Sequence, residues 1–177
     1  LSSEVEDSEI QMEITMQALE QFCCSRNNHL VCIPPNSDPG SLVMRRVIDR
    51  YALKDWFHPV ATLSRKLFVN LIRHARVLVG NSSMGILEAP HYKLPVINIG
   101  NRQKGRLNAG NVEFVDYNQD MIFNAVDKGC NDEKYRKFVR LLNNPYGDGT
   151  SAKKIREAIE SVDLQDNKWY VKKKLCP

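Results

Sequence analysis

The sequence predicts an α/β doubly wound, mostly parallel sheet. Three observations carry that prediction. Five short apolar runs, at residues 29–33, 56–60, 77–79, 95–99 and 111–116, are rich in β-branched side chains and too short for buried helices. Segments with apolar residues at helical spacing separate most of these runs, and parallel strands need such crossovers. Clusters of Gly, Pro, Asn and Ser punctuate the junctions.

Taken in order, residues 1–8 are acidic and polar and read as an exposed lead-in. Residues 9–24 carry Ile10, Ile14, Ala18, Leu19 and Phe22 at helical spacing, so one stripe can pack on a sheet. The strand at 29–33 is stopped by Pro34 and Pro35, and Asn36-Ser37-Asp38-Pro39-Gly40-Ser41 supplies turn chemistry. A helix over 42–51 buries Val43, Val47 and Ile48 and exposes Arg45, Arg46 and Arg50, a solvated face. After the strand at 56–60, Ser64 starts a helix to His74 with Leu67, Phe68, Leu71 and Ile72 on its apolar face.

Beyond the central unit, a strand at 111–116 leads to a helix over 119–128 with Met121, Ile122, Ala125 and Val126 inside. Another amphipathic helix spans 133–142 and is broken by Asn144-Pro145-Tyr146-Gly147-Asp148-Gly149. Thr150 can cap a last helix through Ile155 and Ile159 to about residue 162. The basic and aromatic stretch KWYVKKK at 168–174 reads as a tail or helix with solvated cations. One domain over 1–177 is expected, with 163–177 as that tail.

The chain is organised around residues 76–106, RVLVGNSSMGILEAPHYKLPVINIGNRQKGR. Here a strand ends at Gly80, a polar turn opens a short helix, and a second strand ends at Gly100 before a basic loop. Asn81, Ser82 and Ser83 are helix-capping residue types, and Gly85 lets backbone approach a ligand. Free amides and the positive end of the helix dipole make a site for phosphate or carboxylate, with two hydroxyls as further donors. Glu88, one turn on, suits the vicinal hydroxyls of a ribose. Arg102 and Arg106 arrive at the same rim, where ligands of doubly wound sheets sit. Each residue also has a plain structural reading: serine caps, a carboxylate complementing the helix dipole, solvated loop arginines.

With 177 residues and 42% apolar content the chain is of one-domain size. A net charge of +4 and a pI near 8.8 suit anionic ligands, without the basic stripe and interleaved aromatics of a nucleic-acid binder. No apolar segment reaches the roughly 18 to 20 residues that span a bilayer, and the N-terminus lacks a signal pattern, so a cytoplasmic protein without a membrane partner is expected. Cys23, Cys24, Cys32, Cys130 and Cys176 are odd in number without C-x-x-C spacing and read as reduced thiols. Neither they nor His29, His58, His74 and His91 show metal-ligand spacing, and no metal or cofactor is expected.

The strings GNSSMGILEAP and, thirteen residues beyond Asn81, LPVINIGNRQKGR resemble the UDP-N-acetylglucosamine 2-epimerase family. They resemble its hydrolysing, sialic-acid-pathway branch more closely than the non-hydrolysing one, which has D-S-G-G and T-E-R-P at these places. PNSDPGS and NPYGDG also resemble family members. The resemblance spans 36–159 in pieces and implies the Rossmann-like C-terminal half of a GT-B architecture. It implies UDP or UDP-N-acetylglucosamine as ligand, with Asn36 near the nucleotide-sugar and the base gripped through backbone near Leu63. Ser82, Ser83, Gly85 and Arg102 would stabilise the diphosphate, and Glu88 would hold the ribose.

The reaction so implied removes the C2 proton, expels UDP to give a glycal and adds water, releasing N-acetylmannosamine. Its acid-base groups would come from an N-terminal half and hinge that this chain lacks, so no catalytic residue is assigned here. That half, and further copies in a homo-oligomer of the full-length protein, are the expected partners. Two other classes stay open on the residues alone: half of a GT-B glycosyltransferase, and a stand-alone nucleotide-sugar-binding module.

Overall fold

The computed structural model describes residues 7–35 and 40–163. All five expected strands form: β1 (Leu30–Cys32), β2 (Phe57–Pro59), β3 (Leu78–Gly80), β4 (Val96–Ile99) and β5 (Val112–Val115). They pair in parallel throughout, in two ladders among the described residues, β1-β2 and β3-β4-β5. The helices are α1 (Ser8–Arg26), α2 (Ser41–Asp49), α3 (Arg65–His74), α4 (Met84–Leu87), α5 (Gln119–Asn131), α6 (Glu133–Leu141) and α7 (Ser151–Glu160). A 3₁₀ turn, Ala89–Tyr92, follows α4 directly.

β4 is the fully buried strand, and the two-residue period of its side chains divides them between two cores. Ile97 and Ile99 join Met16, Leu19 and Phe22 of α1 and Ile122, Ala125 and Val126 of α5. Val96 faces the other way and joins Ile72 of α3 with Ala89 and Leu94. β3 is shared likewise, with Val79 on the first core and Leu78 on the second. A strand covered on both faces carries apolar side chains on both, which is why these runs do not alternate; buried Asn98 is the exception in β4, and its Nδ2 donates to the Gly100 carbonyl at 3.1 Å.

Local chemistry sets the helix ends. Asn27 stops α1 in the left-handed region at φ 51°, and its amide caps the Cys23 carbonyl. The side chains of Ser64, Asn118 and Asp132 accept from first-turn amides of α3, α5 and α6. Three residues expected in the core are exposed instead: Ile10 at 62%, Leu67 at 59% and Met121 at 47%. Each is the third residue of its helix, in the first turn, where the spacing fits but the residue faces away from the cores. In α1 the inward face instead runs through Met12, Met16, Leu19 and Cys23.

The chain falls into two compact units, Leu1–Pro145 and Tyr146–Pro177. The second contains α7, on which Ile155 and Ile159 are exposed. Thr150 holds the N-cap position of α7 but makes no side-chain cap; its hydroxyl donates to Asp148 instead and holds that carboxylate below its ordinary range. The lead-in at 1–6 and the tail at 164–177 lie outside the described residues. No helix of the described residues is long and apolar enough to cross a membrane.

Candidate functional site

The C-terminal ends of β3 and β4 lie side by side, because Gly80 is in register with Asn98. Gly80 leaves β3 at φ 145° and Gly100 leaves β4 at φ 82°, conformations that L side chains rarely adopt. Two connections therefore turn away at one edge: the Asn81-Ser82-Ser83 turn and the loop at 101–106.

Gln103 joins them. It is 4% exposed, donates through Nε2 to the Asn81 carbonyl at 3.1 Å, and accepts at Oε1 from Arg106 Nη1 at 2.7 Å. Arg106 is thus engaged within its own loop, and Arg102 lies on the exposed surface of the same loop.

In the turn the two serines differ. Ser82 Oγ accepts from the Met84 amide at 3.3 Å, the capping reading, yet its own O–H can still be donated. Ser83 holds the N-cap position without a side-chain cap. The amides of Ser82 and Ser83 donate to no described residue, while those of Gly85, Ile86 and Leu87 are spent on the Ser82 and Ser83 carbonyls. α4 is one turn long, so the expected helix dipole contributes little, and the donors left are two amides and two hydroxyls.

Gly85 is buried, and a Cβ there would lie 2.7 Å from Val96 Cγ1. Its missing side chain lets α4 press on β4. Behind it, fully buried Asn111 donates through Nδ2 to the carbonyls of Gly85 at 3.3 Å and Leu94 at 3.1 Å.

Glu88 caps the C-terminal end of α4, half-buried, with Oε2 accepting from Arg65 Nη2 at 2.6 Å. That hydrogen bond and the carboxylate's charge hold the Arg65 guanidinium above its ordinary range. Arg65 also lies over the Phe68 ring, 5.7 Å from its centroid. Phe68 and Leu63 line a cleft of about 240 Å³ with Ile33, Pro34, Pro35 and Arg45, beyond the ends of β1 and β2. Arg45 Nη2 donates to the Pro35 carbonyl at 2.8 Å, tying α2 to the cleft wall. Asn36 follows Pro35 and lies outside the described residues.

The structure thus brings Ser82, Ser83, Gly85 and Glu88 onto one connection, the Arg102 loop beside it through Gln103, and Leu63 to a cleft reached through Arg65. Gln103 and Arg65 were not singled out in the sequence. For Gln103 the signal was slight, one amide in a basic loop. Arg65 had a better one: a cation at a helix N-terminus opposes the dipole and calls for a carboxylate partner. No group of three or more metal-ligating side chains occurs among the described residues.

Comparison with known proteins agrees with this architecture. The profile of the family described as UDP-N-acetylglucosamine 2-epimerase matches residues 3–160. The UDP-N,N'-diacetylbacillosamine 2-epimerase (hydrolyzing) of Legionella pneumophila is 31% identical over 153 residues, covering 86% of this chain and 39% of that protein. A UDP co-structure of MnaA from S. aureus superposes with TM-score 0.70 at 22% identity, over 85% of this chain and 40% of that one. The Methanocaldococcus jannaschii UDP-GlcNAc 2-epimerase, in complex with UDP-GlcNAc and UDP, gives TM-score 0.70 at 16% identity, over 90% and 42%. At such identities the two structures speak for the fold, that of GT-B type proteins. The chain spans about two fifths of the length of these relatives. With its profile matched over most of its length, the chain belongs to the UDP-N-acetylglucosamine 2-epimerase family.

Proposed function

We propose that this chain is the UDP-binding half of a hydrolysing UDP-N-acetylglucosamine 2-epimerase. The observation that carries the reading is the Gln103 to Asn81 hydrogen bond, which fixes the Arg102 loop against the Ser82-Ser83 turn. Two unspent amides, two hydroxyls and a cation at the carboxyl edge of a parallel sheet suit a diphosphate. Glu88 takes the ribose hydroxyls, the Leu63 cleft takes the uracil, and Asn36 lies toward the sugar. The hydrolysing type draws support from the name of the Legionella pneumophila relative.

In the reaction so read, a base removes the proton at C2 of the sugar while the bond from C1 to the diphosphate oxygen breaks, leaving a glycal. Water then adds and N-acetylmannosamine is released. Charge grows on the departing diphosphate as the bond breaks, and donors already fixed there stabilise it without reorganising. Ser82, Ser83 and Arg102 have that task, and Gly85 keeps the turn seated on β4. The C2 base comes from a further domain of the same enzyme, and copies of the complete protein associate in the cytoplasm. Calorimetry of the chain with UDP and UMP tests the site, with UDP expected to bind more tightly; equal affinities would overturn the diphosphate assignment. An assay of UDP-N-acetylglucosamine for released UDP and N-acetylmannosamine tests the division of labour. The chain alone is expected to be inactive and an added N-terminal half to restore turnover; turnover by the chain alone would require a base within these residues.

A further inference from the structure

We propose that Arg65 is a positioning residue that sets the Glu88 carboxylate for the ribose and links it to the base cleft, an inference that rests on the UDP-binding reading above. Its geometry is that of a bridge. One guanidinium nitrogen lies 2.6 Å from Glu88 Oε2, and the guanidinium carbon stands 5.7 Å from the centroid of Phe68, a wall of the cleft that also contains Leu63. A nucleoside spanning cleft and turn would pass beside this side chain.

The pair does not exhaust the carboxylate. A carboxylate offers about four lone-pair directions on its two oxygens, and Arg65 takes one of them. Vicinal hydroxyls can therefore be accepted while Arg65 stays in place. Without Arg65, a half-buried carboxylate at the end of a single helical turn is free to sample other rotamers and must be ordered again when ligand binds, which lowers affinity. Ser64 supports the arrangement by capping α3 through the Leu67 amide, which fixes the backbone from which Arg65 projects.

The placement is also not explained by α3 itself. The first turn of α3 carries Arg65 and Lys66 and no acidic residue, the wrong charge for a helix N-terminus. A tertiary carboxylate beside Arg65 offsets that cost, and the carboxylate is the one read as the ribose clamp.

The test compares UDP with 2′,3′-dideoxy-UDP by calorimetry on the complete protein, as wild type, Glu88→Gln, Arg65→Ala and Arg65→Lys. Wild type is expected to prefer UDP by roughly ten- to a hundredfold, the value of a hydrogen bond to a charged group, and Glu88→Gln to abolish the preference. Arg65→Ala should cut the preference about tenfold and leave the dideoxy ligand within about twofold, with Arg65→Lys restoring part of it. A merely structural arginine would weaken both ligands alike, and that result overturns the proposal. So does an Arg65→Ala protein that keeps its preference while Glu88→Gln loses it, and in that case the ribose clamp survives. A wild type that binds both ligands equally removes the clamp itself, and one that binds neither removes the UDP reading, so the failures are distinguishable.

Discussion

Gln103 Nε2 lies 3.1 Å from the main-chain carbonyl of Asn81, and its Oε1 is held by Arg106. A single buried amide thereby sets the spacing between the loops that leave β3 and β4. Gln103→Ala leaves the Asn81 carbonyl without its donor and is expected to lower stability by about 1 to 3 kcal/mol, read by denaturant unfolding. UDP affinity should fall more than stability predicts, because the Arg102 loop is no longer anchored beside the turn.

Ser82 and Ser83 should separate cleanly. Ser82→Ala loses the cap on the Met84 amide and should cost about 0.5 to 2 kcal/mol of stability. Ser83, which caps nothing through its side chain, should give an alanine variant with an unchanged melting temperature and weaker UDP binding. Equal stability losses in the two variants would assign both serines to the turn alone.

Gly85→Ala should be destabilising despite alanine's better helix propensity. The new Cβ would stand 2.7 Å from Val96 Cγ1 in a strand buried on both faces, and overpacking of that kind costs about 1 to 3 kcal/mol. Val96→Ala in the same protein should recover part of the loss. Additive losses in the double variant would mean that the two positions do not touch.

Alkali should unfold the protein earlier than its ion pairs suggest. Burial pushes the thiols of Cys23 and Cys32 from their ordinary 9.0 to about 11, and burial with the Glu113 charge pushes the Tyr135 phenol from 10.0 to about 12. Each group is neutral when protonated and keeps its proton more tightly in the folded chain. The stability they contribute is complete below pH 9 and is lost as pH rises through about 11 and 12. Urea midpoints measured between pH 8 and 12 should fall across that window, and a Tyr135→Phe variant should fall less at its upper end.

Much of this was legible in the chain. The strands lie within one or two residues of the apolar runs that foretold them, since covered strands are mostly apolar and are interrupted only at single positions such as Asn98 in β4 and Glu113 in β5. The connection from Gly80 to Glu88 was equally readable, because its turn chemistry is local. Periodicity failed at Ile10, Leu67 and Met121: it reports the direction of a side chain within its helix, and what covers the first turn of a helix is a tertiary fact. It also gave no reason to bury Gln103, whose partner carbonyl lies 22 residues away, nor to pair Arg65 with Glu88 across 23. Nor did it show that Gly85 seats α4 against Val96, a contact between a helix and the next strand.

Asn111 gives the frame behind the turn an unusual tolerance. Its side chain donates to the carbonyls of Gly85 and Leu94, while its own main-chain carbonyl accepts from the Val96 amide and the Tyr135 hydroxyl. Both side-chain bonds end on main-chain oxygens, so they are indifferent to which side chains the neighbouring turn displays. Substitutions among the side chains that the turn displays therefore leave the backbone beneath on its course. Position 111 itself has no such latitude: an apolar residue there would strand two carbonyls in the interior. Sequence drift should spare the asparagine behind the turn.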